Sequence, residues 1–455
     1  MENVYSEKDL KKGRKTLSGA AVIAAGGLVS KIFGAVYRII LIALLGAEGL
    51  GAYQTVFPAY CLFLDISSSG VPAATSKLVS ERPERGKEIL NKSLYVFASL
   101  GAAFSVIMAV FSKGMAWFQG NRYGYIMYVV ISPAIALVAI LSCFKGYFQG
   151  NGNMYPTGIT QITEQIVKIA FGYYMIRAVY DLKAKVTMAV FAVTVSEIAA
   201  VSAIFIIYGI HSLKEKKNNL SVSFLYDNDG QRIAADKIKG KKIFAAALPI
   251  TLASLAFPLA DVFESAIFLR GFGDTGNALS VYGVYAGAVK TFINLPVSVC
   301  YGLAAAAIPV IAGKMSLSKK RSSEASLITL TFLFSAAGAA LCFIFSPAAV
   351  RIIFPSLKEY FPLTITLIRV SSVTVVLAAL VQTTNAILIA KGKTYITVIS
   401  CFTGMIIKTL LSAYLVFYRG GNIFVIAISS ILCYLVAVLI NLKYTFKYAN
   451  KRNNA

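Results

Sequence analysis

Histidine is almost missing from this chain: His211 is the single imidazole in 455 residues. That excludes the usual His-based metal centres and the nucleophile–histidine arrangements of hydrolases. His211 falls at the end of an apolar run and reads as an interfacial side chain. The six cysteines, Cys61, Cys143, Cys300, Cys342, Cys401 and Cys433, stand singly with no CxxC. Small buried hydrophobes are expected there, not disulfides or metal ligands. No GxxxxGK[ST] occurs, because Gly392-Lys393-Thr394 lacks its upstream glycine, so a built-in ATPase is not expected. Neither an enzyme nor a bound cofactor or metal is expected. Charge is also scarce, at 14% against about 25% for a soluble globular chain.

Hydrophobic residues make up 57% of the sequence, and the mean hydropathy is +0.71. Apolar runs long enough to cross about 30 Å of hydrocarbon alternate with short polar connections. Twelve spans are read near 17–45, 52–76, 93–112, 123–144, 156–176, 186–211, 243–269, 281–312, 326–346, 361–390, 395–418 and 422–442. The expected class is an all-α polytopic membrane protein. The first and eighth spans are overlong, which implies tilt, a kink or helix beyond the bilayer.

A net charge of +24 would suit nucleic acid, but the charges lie in the wrong places for it. With the N-terminus in the cytoplasm, the inner segments hold 29 Lys and Arg and the outer segments 9. The positive-inside rule then fixes both termini on the cytoplasmic side. The excess charge is a topology signal, with anionic lipid as its natural contact. Met1–Thr16 is polar and has no signal-peptide core, so no cleaved leader is expected.

The longest polar stretch, Lys214–Lys242, has six spans on each side. We therefore expect an N-terminal lobe over 1–213, a cytoplasmic linker over 214–241 and a C-terminal lobe over 242–455. An internal repeat supports the division. Shifted by 240, Gly152, Tyr155, Thr157, Ile159, Thr163, Ile166, Lys168 and Tyr174 fall on Gly392, Tyr395, Thr397, Ile399, Thr403, Ile406, Lys408 and Tyr414. Since six is even, the lobes share one orientation. Parallel repeats of this kind are a transporter architecture with the site between halves near mid-membrane.

Charges inside spans carry the functional signal, because each costs about 2.5–3.5 kcal/mol at the bilayer centre and must face protein or water. Lys31 and Arg38 are seven residues apart on span one. They lie about 20° apart around the helix and about 10.5 Å apart along it. With Lys290 on span eight they could form a cationic patch for an anionic headgroup; the alternative is that Asp65 and Asp261 neutralise them. Glu164 and Lys168 have the spacing of an intrahelical pair. Asp261 and Glu264 share a face of span seven, where two carboxylates could bind a proton or Na⁺ or pair with neighbouring cations. Lys408 repeats Lys168 without its glutamate, Gly404 standing at that position.

Several segments resemble a known family. They are Ser30-Lys31-Ile32-Phe33-Gly34-Ala35-Val36-Tyr37-Arg38, Gly46-Ala47-Glu48-Gly49-Leu50-Gly51-Ala52-Tyr53, Ser69-Gly70-Val71-Pro72-Ala73-Ala74-Thr75-Ser76-Lys77, Phe144-Lys145-Gly146-Tyr147-Phe148-Gln149-Gly150, Gln161-Ile162-Thr163-Glu164-Gln165 and Asn294-Leu295-Pro296. Together they are similar to the multidrug/oligosaccharidyl-lipid/polysaccharide exporter superfamily, in the branch of stage V sporulation protein B and the MurJ-like flippases. The resemblance implies two six-helix lobes around a cavity. It further implies alternating access that carries an undecaprenyl-diphosphate-linked sugar to the outer leaflet of the bacterial plasma membrane, by a protein expected to act as a monomer. It also implies that cations of spans one and eight meet the diphosphate. Lys31 and Lys290 match or nearly match such positions, while Arg38 falls one residue beyond the branch's arginine, where Tyr37 stands. The branch's span-two arginine is absent from Leu64-Asp65-Ile66. That branch usually adds two helices to the twelve read here, which leaves another lipid-linked glycan, or H⁺- or Na⁺-coupled drug export, open.

Overall fold

The computed structural model describes residues 7–121, 124–217, 240–272, 277–300 and 317–451, with side chains over 29–30, 32–121, 124–214, 240–241, 243–272, 277–300 and 322–446. The first half comprises α1 (Glu7–Ser68), α2 (Val71–Glu81), α3 (Gly86–Val110), α4 (Ser112–Phe118), α5 (Tyr125–Gly150), α6 (Tyr155–Arg177) and α7 (Leu182–Lys217). The second comprises α8 (Gly240–Gly271), α9 (Ala278–Gly283), α10 (290–300), α11 (Leu317–Ile353), α12 (Phe361–Ala390), α13 (Thr394–Arg419) and α14 (Ile423–Lys451). A π-helical turn, Val284–Val289, joins α9 to α10. No strand occurs among the described residues.

Helix α1 contains the first two spans. Its backbone leaves helical geometry at Gly46, with φ 65° and ψ −169°. The guanidinium of Arg38 lies 5.8 Å from the ring of Phe57, although nineteen residues of straight helix would separate them by about 28 Å. The two limbs therefore run back alongside each other. The second limb breaks again at Ser69-Gly70, and Pro72 sits in the first turn of α2, where its missing N–H costs nothing. The second span thus reaches Glu81, beyond the 76 read from hydropathy.

Nine helical segments among the described residues are long and apolar enough to cross a membrane. One of them, Ile32–Glu81, spans the break and contains both limbs of α1. Helix α6 falls outside the nine because Thr157, Thr160, Gln161, Thr163, Glu164, Gln165 and Lys168 dilute its apolar content. The segment α9–α10 is interrupted by the π turn. Counting these, the described residues hold twelve helical segments in position to cross. The outward faces are apolar: α11 exposes Phe332, Leu333, Phe334, Leu341, Ile344 and Phe345, a patch suited to hydrocarbon contact.

In the first half α3 packs on α5, α5 on α7, and α6 on both α1 and α7; in the second, α11 packs on α12, α12 on α14, and α13 on both α8 and α14. The halves meet where α1 lies against α8, α9 and the π turn, and where α2 lies against α8. The repeat is visible in the backbone. Gly152 and Gly392 have φ of 73° and 71°. Asn153 N–H donates to Phe148 and Gly152 N–H to Gln149; Lys393 N–H donates to Leu388 and Gly392 N–H to Ile389. These are the same helix-ending bonds, 240 residues apart, and the left-handed φ explains why glycine recurs.

Candidate functional site

At the seam between the halves, Arg38 on α1 is half-buried, and its Nη1 donates to Thr291 Oγ1 at 3.2 Å. Its guanidinium also rests over Phe57. No carboxylate lies within ion-pair distance of it among the described residues. The preceding residue behaves differently. Tyr37 is 2% exposed and donates its hydroxyl to Ala189 O at 3.0 Å. The register of α1 therefore turns position 37 into the first half and position 38 toward the second. Lys31 lies on the same helix, but its side chain is outside the described residues.

Next to Thr291, Lys290 is held by two acids of α8. Its Nζ donates to Asp261 Oδ1 at 2.9 Å and to Glu264 Oε1 at 2.7 Å. Lys408 of α13 closes the group from the other side, 2.6 Å from Glu264 Oε2 and 3.4 Å from Asp261 Oδ1. Two ammonium groups and two carboxylates make a neutral quartet. Asp261 and Glu264 are three apart on one helix face, which is why both reach the same lysines. The quartet is graded in exposure: the Glu264 and Lys408 side chains are 0% and 7% exposed, those of Lys290 and Asp261 24% and 36%. Lys290, Asp261 and Lys408 line a cavity of about 90 Å³, with Asn294, Ser371, Thr374 and Ser430 as uncharged polar walls and Tyr285 and Tyr434 as aromatic ones. Lys290 also lies 5.2 Å from the centre of the Tyr285 ring.

The sequence offered two readings of these charges, and the structure divides them. Lys290 is neutralised by Asp261, whereas Asp65 has no cationic partner among the described residues. Among the described residues, Arg38 on α1 and Arg270 on α8, which donates to Trp117 O at 2.9 Å, are cations between the halves without an acid. Glu164 and Lys168 do pair, at 3.1 Å, and Gln165 Nε2 adds a bond to Glu164 Oε1 at 2.8 Å. This pair lies in the first half, apart from the quartet. His211 packs edge-on against Phe148 at 5.5 Å, in keeping with a structural role. The cysteines are free thiols, five buried and Cys61 half-buried.

Charge patterns alone could not reveal the uncharged walls of the cavity, since serine and threonine are frequent in every span. They also missed a bond between the halves: Gln119 Nε2 donates to Ser265 Oγ at 2.7 Å and to Thr55 O at 2.8 Å, while its Oε1 accepts from the hydroxyl of Tyr128 at 2.6 Å. A second unread pair, Lys391 to Glu324 at 2.7 Å, ties α11 to the end of α12.

Twelve crossing helices in two repeated halves, with ionised side chains facing each other inside the span, define a polytopic membrane transporter fold. Comparison with known proteins makes this specific. The family model described as "Polysaccharide biosynthesis protein" matches residues 16–315, and the chain belongs to that family, within the exporter superfamily anticipated above. Stage V sporulation protein B of Bacillus subtilis (strain 168) is 28% identical over 357 residues, covering 75% of this chain and 67% of that protein. Lipid II flippase MurJ of the same organism is 26% identical over 473 residues, covering 96% and 85%. Among solved structures, the inward-facing conformation of a multidrug resistance MATE family transporter of the same superfamily aligns with a TM-score of 0.70 at 15% identity, over 96% of this chain and 99% of that one. A superfamily transporter from Pyrococcus furiosus, described as having a binding pocket of reverse polarity, aligns at 0.66 with 16% identity, over 95% and 96%. At such identities the structural likeness speaks for the fold alone.

Proposed function

We propose that this protein is a flippase that carries a diphosphate-linked glycan lipid, such as an undecaprenyl-linked sugar, across the bacterial plasma membrane, with both termini in the cytoplasm. Lobes 1–213 and 242–455, joined by the linker 214–241, would rock about their shared seam; most of that linker lies outside the described residues. The similarity to lipid II flippase MurJ and to stage V sporulation protein B supports the substrate class.

The single observation that carries the reading is Arg38. It is a cation on the seam-facing side of α1 whose nearest bonded partner is a neutral hydroxyl. A guanidinium in that setting retains its capacity for a bidentate contact with phosphate oxygens. Lys31 extends the same helix face. Lys290 joins by exchanging Asp261 for phosphate at the cavity edge.

The test is reconstitution of the full chain in vesicles with a fluorescent lipid-diphosphate-sugar. Outward movement that falls in Arg38→Ala supports the proposal. Ethidium efflux without lipid movement would replace it by drug export, a reading the neutral quartet does not favour, because a pocket for cationic drugs needs an excess of acid.

A further inference from the structure

Glu197 on α7 is 5% exposed, its Oε2 is enclosed without a donor, and no ion pair or hydrogen bond to its carboxyl occurs among the described residues. An ionised carboxylate buried without a partner is among the most costly features a helix bundle can carry. Other buried acids here avoid it: Glu264 has Lys290 and Lys408, and Glu324 has Lys391.

The groups that face Glu197 come from every helix packed on α7. The titratable groups whose fields reach it are Tyr60 of α1, Lys145 of α5, and Glu164 and Lys168 of α6. Neither lysine comes within ion-pair distance of Glu197, and Lys168 is already bonded to Glu164. The same shortage of donors recurs on α6. Gln165 Nε2 donates to Glu164, so reversing that amide would set oxygen against carboxylate; its Oε1 is fixed as an enclosed acceptor and has no donor. A proton on Glu197 removes the buried charge. A metal cation would enter the field of Lys145 and Lys168, which favours the proton as occupant.

We propose that Glu197 is an exchangeable proton site in the first half of the transporter, protonated in the arrangement seen here and emptied to solvent when the halves rearrange. The departing proton leaves a carboxylate that water solvates once the site opens. In the second half, two lysines saturate Asp261 and Glu264, and that group needs no proton from outside. Proton release that drives lipid movement rests on the flippase reading; the proton site itself does not.

The experiment is infrared difference spectroscopy of the purified full chain across a pH titration, with Glu197→Gln and Glu197→Asp as variants. The expected result is a protonated-carboxyl C=O band that disappears on alkalinisation, is missing in Glu197→Gln and is shifted in Glu197→Asp. A wild-type titration identical to that of Glu197→Gln overturns the proposal, as does a band that persists at every pH where the protein stays folded. Loss of the band on adding sodium at constant pH overturns it in favour of a metal cation. In vesicles, lipid movement by the wild type should respond to an imposed pH gradient. Glu197→Gln should keep gradient-free exchange and lose that response, and an unchanged response overturns the coupling. If the wild type moves no lipid, the flippase reading fails while the infrared result still decides the site.

Discussion

Lys168 and Lys408 occupy the same register of the two repeats, yet they draw their carboxylates from different places. Lys168 bonds Glu164 one turn back on its own helix at 3.1 Å, whereas Lys408 reaches across to Glu264 on α8 at 2.6 Å. The cation recurs at both positions, but its counterion differs, and with it the energetic consequence of losing the pair.

Lys408→Met should therefore be strongly destabilising. It leaves the wholly buried Glu264 one partner short, and breaking a buried pair costs about 3–5 kcal/mol. Glu164→Gln replaces the acid by an amide whose oxygen can still accept from Lys168 on the same helix, so its cost should be smaller, about 1 kcal/mol. Thermal unfolding of the detergent-solubilised variants should show a large drop for the first and a small one for the second. The double variant Lys408→Met/Glu264→Gln should recover much of the loss. Equal drops for both single variants would show that the quartet is not the stronger tie.

The seam makes a second prediction. A Cβ on Gly283 would fall 2.1 Å from Ala47 O, and one on Gly51 would fall 2.0 Å from Leu279 O. Backbone carbonyls cannot yield as side-chain tips do, so Gly283→Ala should push α9 away from α1 at a cost of about 1–3 kcal/mol. A cysteine pair placed across this contact in an otherwise cysteine-free chain should crosslink readily, and less so with Gly283→Ala added. Unchanged crosslinking would mean that the helices do not touch there in the membrane.

Binding should depend on Arg38 far more than on its neighbour Thr291. Loss of a hydrogen bond to a charged group costs roughly 1.5–3 kcal/mol, or about ten- to a hundredfold in affinity. Arg38→Ala should weaken binding of a fluorescent lipid diphosphate by that factor. Arg38→Lys should lie between Ala and wild type, because an ammonium cannot make the forked contact. Thr291→Val should change little, since it removes only the hydroxyl on which Arg38 rests. Equal effects of Arg38→Ala and Thr291→Val would point to a structural role for this pair.

How much of this was legible beforehand depended on the kind of signal. The twelve spans and the helical class followed from hydropathy, because a bilayer leaves few alternatives for an apolar run of that length. The repeat followed from glycines and lysines whose spacing the backbone requires, as at Gly152 and Gly392. Pairing was another matter. Glu164–Lys168 could be read because both residues share one helix. The joining of Lys408 to Glu264 could not, because nothing local states that α13 packs against α8. Nothing local marks Glu197 either: its isolation is a fact of three-dimensional surroundings.

The π turn at Val284–Val289 has a mechanical consequence. Such a turn carries one residue more than ordinary helical pitch, which is worth about 100° of rotation for everything after it. Lys290 and Thr291 come immediately afterwards, so this surplus residue aims the ammonium at α8 and sets the hydroxyl beneath Arg38. Tightening that coil to regular pitch would swing both side chains away together. One short rewinding would thus act as a crank, releasing the charge cluster of one lobe and the arginine of the other in a single stroke.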